Sequence, residues 1–354
     1  MTSANETENG VIAMSDALQA HIEVDDGISL WYQTWGNKQD GIPVLFVHGG
    51  PGSSVADYDG INEKFFDKTK FFVIEVDQRG TGKSMPSVRD DIRNARKYMD
   101  ISIDKMSADF EIVRVKLGIE KWLVFGGSWG STLGLHYTET YPERCLGLIM
   151  RAIFLNTKGE FDAVYKRSSF EYNEHRLKEF DTFFEIAAEE ALKSGGPALD
   201  PNDSERFIRI YEKMIIEGNK DAAWRFNAFE NNISEESPEE MLDPCVIDED
   251  ELPKAINVAF MEARLFLRGT FEKPLTLLED VGRLGEGPVK TWVVQGLGDE
   301  VCPDKFARDL VAKLETVDGV LQKAHFVEAG HKCHSDGVFL ALKECVQDFL
   351  NTQT

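Results

Sequence analysis

The chain lacks several things whose absence narrows its function. No apolar run approaches the roughly 18 residues a helix needs to cross a bilayer; the longest, such as Val44 to Val47 and Trp122 to Phe125, are strand-length. The opening MTSANETENG has neither the basic start nor the apolar stretch of a secretory leader. Cysteines are few, odd in number and scattered, at 145, 245, 302, 333 and 345, which reads as reduced thiols in a cytoplasmic protein. Basic residues are short against acidic ones, 39 to 62, and the net charge of −23 argues against nucleic acid or an anionic membrane as partner. Between 156 and 288 the imbalance sharpens to 30 acidic against 16 basic residues, an environment that favours cationic substrates over anionic ones.

Apolar content is not lacking. At 42% hydrophobic, 354 residues can bury a sizeable core. His21 to Val24 and Ile28 to Trp35, separated by Asp25-Asp26-Gly27, read as a hairpin. Pro43 to Val47, Phe71 to Val76 and Trp122 to Phe125 are apolar on both faces, as central strands of a parallel sheet are. Each stops at a glycine-rich turn, and helical stretches such as Ser107 to Leu117 lie between them. The alternation predicts a doubly wound α/β core with function at the carboxyl ends of its strands. It breaks after Phe154, and strand character returns only at Thr291 to Val294 and His325 to Val327. The expected organisation is therefore a flexible segment 1–20, a core of 21–155 plus 289–354, and a helical insertion over 156–288 that selects substrate.

Gly126-Gly-Ser128-Trp-Gly130 follows an apolar strand and precedes a helical stretch, Ser131 to Tyr141. A serine flanked two residues away by glycines at a strand-to-helix turn is the setting of a nucleophile elbow, where the hydroxyl is exposed at the positive end of a helix. Ser131 sits inside the helix start and reads as packing. A serine needs a base, and the base an orienting acid; in a sheet of this kind they follow in the order Ser, Asp or Glu, His. His331, in Ala329-Gly-His331 after a strand, fits the base, with His334 as rival and His136 as a packed helix residue. Asp299 ends Trp292-Val-Val-Gln-Gly-Leu-Gly-Asp299 and fits the acid, whereas Asp304 reads as helix first-turn charge. The oxyanion of an acyl-transfer intermediate requires two N–H donors. Trp129 supplies one, and the loop His48-Gly-Gly-Pro-Gly52 the other, from Gly50 or, failing that, Gly49. His48 itself reads as structural.

Two patterns suggest other chemistry and fail on spacing. Arg79-Gly-Thr-Gly-Lys-Ser84 has the tail of a phosphate loop, but Asp77 stands where its first glycine must be. His331-Lys-Cys333-His334 offers close donors without a complete ligand set. No metal and no cofactor are expected.

Taken together, His48-Gly-Gly-Pro-Gly52, Asp77-Gln-Arg-Gly-Thr-Gly-Lys-Ser84, Gly126-Gly-Ser-Trp-Gly-Ser131, Gly296-Leu-Gly-Asp299 with Val301-Cys-Pro303, and Gly330-His331 resemble the proline iminopeptidase family. The resemblance implies an α/β-hydrolase fold with a helical cap and a cofactor-free serine peptidase that removes an N-terminal residue, typically proline. In the cap, Trp224-Arg-Phe-Asn-Ala-Phe-Glu230 resembles the family's W-x-x-W-E, and Phe260-Met-Glu262-Ala-Arg-Leu-Phe266 its I-E-N-H-Y-F. By this resemblance Glu230 and Glu262 bind the substrate's α-ammonium; without it, both read as ordinary helix-surface charges. Arg151-Ala-Ile-Phe154 resembles the family's R-G-I-F, making Phe154 a wall for the proline ring and Arg151 an orienting group for the carboxylates. The sequence departs from the family at Phe229, at Arg264-Leu-Phe266, at Gly296-Leu-Gly-Asp299 where the family has G-R-Y-D, and in the aromatic run after R-G-I-F, near whose place Asp162-Ala-Val-Tyr165 stands. These departures touch the pocket and weaken the implied preference for proline, leaving another small residue, or an amino-acid amide or ester with a free amine, open as substrate. An esterase or amidase acting on a small non-peptide metabolite, and a non-catalytic binder on the same fold, are the alternatives.

Overall fold

The structure is a computed structural model in which residues 18–235 and 237–353 are described. Of the segment 1–20 expected to be flexible, residues 1–17 lie outside the described residues, and its last three belong instead to the first strand, pairing with Tyr32 to Thr34. Eight strands form one sheet: β1 (Leu18–Asp25), β2 (Ile28–Gly36), β3 (Ile42–Val47), β4 (Phe71–Val76), β5 (Trp122–Ser128), β6 (Cys145–Ile153), β7 (Thr291–Gly296) and β8 (Leu321–Val327). Their order is β1-β2-β4-β3-β5-β6-β7-β8, and only β2 runs against the others. The first two strands pair around the Asp26-Gly27 turn, where Gly27 takes φ +66°.

Central strands are buried on both faces, which is why they are apolar without alternation. Trp122 and Val124 of β5 enter the core on one face, while Leu123 and Phe125 enter a second core on the other, with Trp292 and Val294 of β7. The helices α1 (Ile103–Lys116), α2 (Trp129–Thr140) and α9 (Asp304–Leu314) contribute to the first core and α10 (Asp336–Asn351) to the second. Both of the expected core helices start earlier than their apolar periodicity. Ser102 caps α1 by accepting from Lys105 N, and α2 begins at Trp129, directly after the elbow serine.

Between β6 and β7 the chain is helical: α3 (Lys158–Tyr165), α4 (Glu174–Lys193), α5 (Ser204–Ile216), α6 (Lys220–Ser234), α7 (Leu252–Leu267) and the short α8 (Leu277–Asp280). Aromatic rings fill the interior of this layer; Phe183 stacks on Phe229 at 4.4 Å and meets Tyr211 at 4.6 Å. No helix among the described residues is long and apolar enough to cross a membrane. The architecture is that of an α/β hydrolase with a helical cap. In-register pairing of Val47 with Gly126, Ser128 with Ile153, and Gly296 with Val327 brings the carboxyl ends of β3, β5, β6, β7 and β8 to one edge beneath the cap.

Candidate active site

Ser128 ends β5 with φ 57° and ψ −130°, a left-handed backbone that costs a non-glycine residue on the order of 1–2 kcal/mol. Its neighbours show why the turn closes only with glycine. A Cβ on Gly126 would lie 2.4 Å from the Gly130 carbonyl oxygen, and one on Gly130 would lie 2.2 Å from that of Val47. A Cβ on Gly127 would lie 2.4 Å from Arg151 Nε. Ser131 braces the turn from within the helix: its hydroxyl donates to Ser128 O at 2.7 Å and accepts from Phe154 N at 3.0 Å.

The loops after β7 and β8 pack directly on each other. A side chain on Gly296 would strike the Gly330 and Ala329 carbonyls at 2.3 and 2.5 Å, and Gly298 N donates to Ala329 O at 2.9 Å. That contact sets Asp299 against His331, whose Nδ1 lies 3.0 and 2.9 Å from the two carboxylate oxygens. Asp299 is fixed in turn by the amides of Val301 (3.0 Å) and Cys302 (2.8 Å), and its side chain is fully buried. A carboxylate against Nδ1 holds the proton there and leaves Nε2 as the basic nitrogen. Ser128 and His331 line the same cavity, of about 320 Å³, with Gly50, Arg151, Glu230 and Glu262. The rival His334 is exposed at its edge. Asp304 accepts from Arg308 Nε in the first turn of α9, and His136 bonds Ser107 Oγ at 2.8 Å on α2.

In the loop after β3, Gly49 donates its N–H to the Tyr58 hydroxyl at 3.1 Å. That engagement removes Gly49 as a free donor and leaves Gly50, which lines the cavity, as the loop's candidate. Gly50 has φ +104°, and a Cβ there would lie 2.8 Å from two following amides. His48 is fully buried; its Nε2 accepts from Gln78 N at 3.1 Å, so Nδ1 bears the proton and donates to Gly49 O at 3.0 Å. Burial depresses its pKa and keeps it neutral, a structural part. Gln78 also donates to His48 O (2.9 Å) and accepts from the Trp129 indole (3.1 Å), tying this loop to the elbow. Asp77, where a phosphate loop needs glycine, accepts from Val55 N and Lys83 N at 2.7 Å each; Gly82 folds over it so closely that a Cβ would lie 2.2 Å from the carboxylate. Nothing in the sequence marks Gln78, since its role lies in cross-strand geometry that the motif alone does not display.

Glu230 on α6 and Glu262 on α7 face each other across the cap side of the cavity. Burial raises Glu230 to about 7, against the lowering effect of a hydrogen bond from Tyr165. Burial, and then the charge of Glu230, push Glu262 well above the carboxylate range. Among the described residues Glu262 Oε2 is buried with no hydrogen-bond partner. Tyr165, near the place of the family's aromatic run, is the donor to Glu230. Phe154 meets Phe266 edge-on at 5.1 Å and, with Tyr165, Ser128 and Glu230, lines a small inner lobe. Arg151 is not bonded to the glutamates in the role the resemblance implied: its Nη1 donates to His331 O at 2.9 Å, bracing the histidine loop. The other departures serve the cap interior, Phe229 by stacking and Arg264 by bridging Glu212 and Glu272.

The donors of Asp299, Cys302 and His331 lie within 4.8 Å of one another. Burial, with Asp299 and Glu160 nearby, pushes the Cys302 thiol well above its ordinary value, so it is a poor thiolate ligand. The other two donors already engage each other, an arrangement that suits an acid–histidine pair better than a metal.

Residues 42–189 match the model of the alpha/beta hydrolase fold family. The chain is 30% identical over 335 residues to a proline iminopeptidase of Neisseria meningitidis, covering 93% of this chain and 95% of that protein. It is 33% identical over 294 residues to a proline iminopeptidase of Xylella fastidiosa, covering 81% and 83%. Among solved structures, an esterase of Exiguobacterium antarcticum superposes with a TM-score of 0.56 at 17% identity, over 95% of this chain and 99% of that one. At that identity the likeness speaks for the fold alone.

Proposed function

The chain belongs to the proline iminopeptidase family, and from that premise we propose that it is a serine aminopeptidase that releases a small N-terminal residue, proline or another, from substrates with a free α-amine. The observation that carries the reading is the pair Glu230, half-buried, and Glu262, buried, lining the cavity that also holds Ser128 and His331, with Glu262 Oε2 unpartnered among the described residues. Two carboxyl groups crowded at low dielectric cannot both be charged, which is why both lie above the ordinary carboxylate range, and an entering ammonium lets both ionise and satisfies them through charge-assisted hydrogen bonds. An ester without an amine gains nothing from the pair, which favours an amine-bearing substrate over the esterase alternative.

With the ammonium held there, the first carbonyl of the substrate falls to Ser128. His331 Nε2 takes the proton from Ser128 Oγ as the oxygen attacks, and the backbone amides of Trp129 and Gly50 hold the oxyanion. The same proton passes to the leaving amine as the C–N bond breaks, leaving an acyl-enzyme. Water, deprotonated by His331, then releases the amino acid and restores the serine. Asp299 keeps the histidine in its Nδ1–H form and stabilises the imidazolium. Arg151, through the His331 carbonyl, positions the base. Phe154 and Tyr165 bound a lobe suited to a small side chain.

A panel of aminoacyl-naphthylamides, amides and esters, with fluorophosphonate labelling of wild type and Ser128→Ala, tests the proposal. The expected result is turnover of free-amine substrates with small first residues and labelling that disappears in the variant. Labelling that persists in Ser128→Ala would remove Ser128 as nucleophile.

A further inference from the structure

Helix α7 carries three residues that line the same cavity at four-residue spacing: Lys254, Val258 and Glu262. Side chains four apart on a helix lie along one ridge. The cavity-lining ridge thus has a carboxylate at one end, an apolar step, and an ammonium at the other. At about 1.5 Å per residue the two charged positions are separated by about 12 Å along the axis.

An extended dipeptide spans at most about 7 Å from first to last backbone atom. Charge-assisted hydrogen bonds of about 2.8 Å at each end bring its reach to about 12 Å. A third residue adds about 3.4 Å to that length.

Lys254 is also held where such a ligand needs it. Its Nζ is 2.7 Å from Asp57 Oδ1, and Asp57 is itself anchored through Oδ2 by Ser54 N (2.8 Å) and Ser54 Oγ (3.2 Å). An ammonium has three donors. The Asp57 contact uses one, and the side chain, 38% exposed, keeps a face toward the cavity. The neighbouring cation Lys332 is more enclosed, with Glu235 and Glu240 both within ion-pair distance. Lys254 is therefore the better-placed partner for a substrate anion.

We propose that Lys254 recognises the C-terminal carboxylate of the substrate, so that α7 measures out a dipeptide and the preferred substrate class is dipeptides with a free carboxyl group. The inference rests on the assignment of Glu230 and Glu262 to the substrate ammonium.

The test compares kcat/KM for a matched set built on the N-terminal residue that the naphthylamide panel favours: the dipeptide, its C-terminal amide, the tripeptide, and the naphthylamide itself. The dipeptide is expected to exceed the amide and the tripeptide by roughly tenfold, the scale of one charge-assisted contact at a half-exposed site, with the difference in KM. Lys254→Met should bring the dipeptide-to-amide ratio to about one, and Lys254→Arg should restore most of it. Because the readout is a ratio within each variant, a general loss of folding does not imitate it. Asp57→Asn removes the ion pair but leaves the ammonium, and should keep the preference. Equal turnover of dipeptide and amide by wild type, or a ratio that survives Lys254→Met, overturns the proposal. Collapse of the ratio in Asp57→Asn as fully as in Lys254→Met also overturns it, since Lys254 would then act only as a clasp between cap and core. Failure of the naphthylamide to be cleaved instead sinks the underlying aminopeptidase reading, and is seen separately.

Discussion

Glu230→Gln should make the protein more stable and less active at once, and the stability gain should depend on pH. The carboxyl moves from the ordinary 4.5 to about 7 on folding, chiefly because it is buried. Between those values the folded chain keeps a proton that the unfolded chain has released, so stability falls as pH rises through the window and stays low above it. At roughly 1.4 kcal/mol per pH unit, the loss reaches about 3 kcal/mol as an upper bound. Glutamine retains an oxygen to accept from the Tyr165 hydroxyl but does not titrate, so it recovers much of that loss. For 354 residues, an unfolding entropy of about 2 cal/mol/K per residue converts about 3 kcal/mol into a rise in Tm of about 4 °C.

Differential scanning fluorimetry at about pH 4 and about pH 8.5 measures this directly, the lower point serving as internal reference because both states are protonated there. The variant should gain up to about 4 °C at the higher pH and almost nothing at the lower. Its kcat/KM toward free-amine substrates should fall by about a hundredfold or more, the cost of removing one partner of a buried charged contact. A Tm lowered equally at both pH values would refute the burial argument. A kcat/KM within about twofold of wild type would refute the role in binding the amine.

Gly127→Ala forces a Cβ to within 2.4 Å of Arg151 Nε, so the guanidinium must leave its place beside the His331 carbonyl; kcat should fall more than tenfold while urea unfolding shows a loss of only about 1–3 kcal/mol. Asp299→Asn should leave circular dichroism unchanged and lower kcat by about three to four orders of magnitude, because an amide in place of the carboxylate no longer selects the Nδ1–H form of His331. Gly82→Ala puts a Cβ 2.2 Å from the Asp77 carboxylate at φ +50°; it should lower Tm, and, because Asp77 and Gln78 brace the loop that carries Gly50, it should also lower kcat of the folded fraction, obtained by active-site titration with a fluorophosphonate.

The parts of this site legible in the sequence are those fixed by local backbone geometry. Ser128, Asp299 and His331 each follow a strand and precede or lie in a glycine-marked turn, so the order of strands alone brings them to one edge of the sheet. At α2 the elbow serine takes the N-cap position but its hydroxyl makes no capping hydrogen bond, so the usual start signal is spent on the turn. Glu230 and Glu262 were illegible as site residues from periodicity, because a helix carries glutamates on its outer face far more often than in a cavity. Only the resemblance to a family pointed to them. The functions of Arg151 and Tyr165 depend on contacts across 180 and 65 residues of sequence, and no local pattern encodes those. Phe229 and Arg264, which as departures from the family suggested an altered pocket, turn out to belong to cap packing and to an internal ion-pair bridge.

In the proposed mechanism the enclosed pair Glu230 and Glu262 makes a free amine the condition for catalysis at Ser128. The most direct measurement is kcat/KM for an aminoacyl-naphthylamide against its Nα-acetyl derivative, on the same wild-type preparation. A loss of about three orders of magnitude or more on acetylation is the predicted result, since the neutral amide forfeits the charge-assisted contacts to both glutamates. Comparable rates for the two would contradict it.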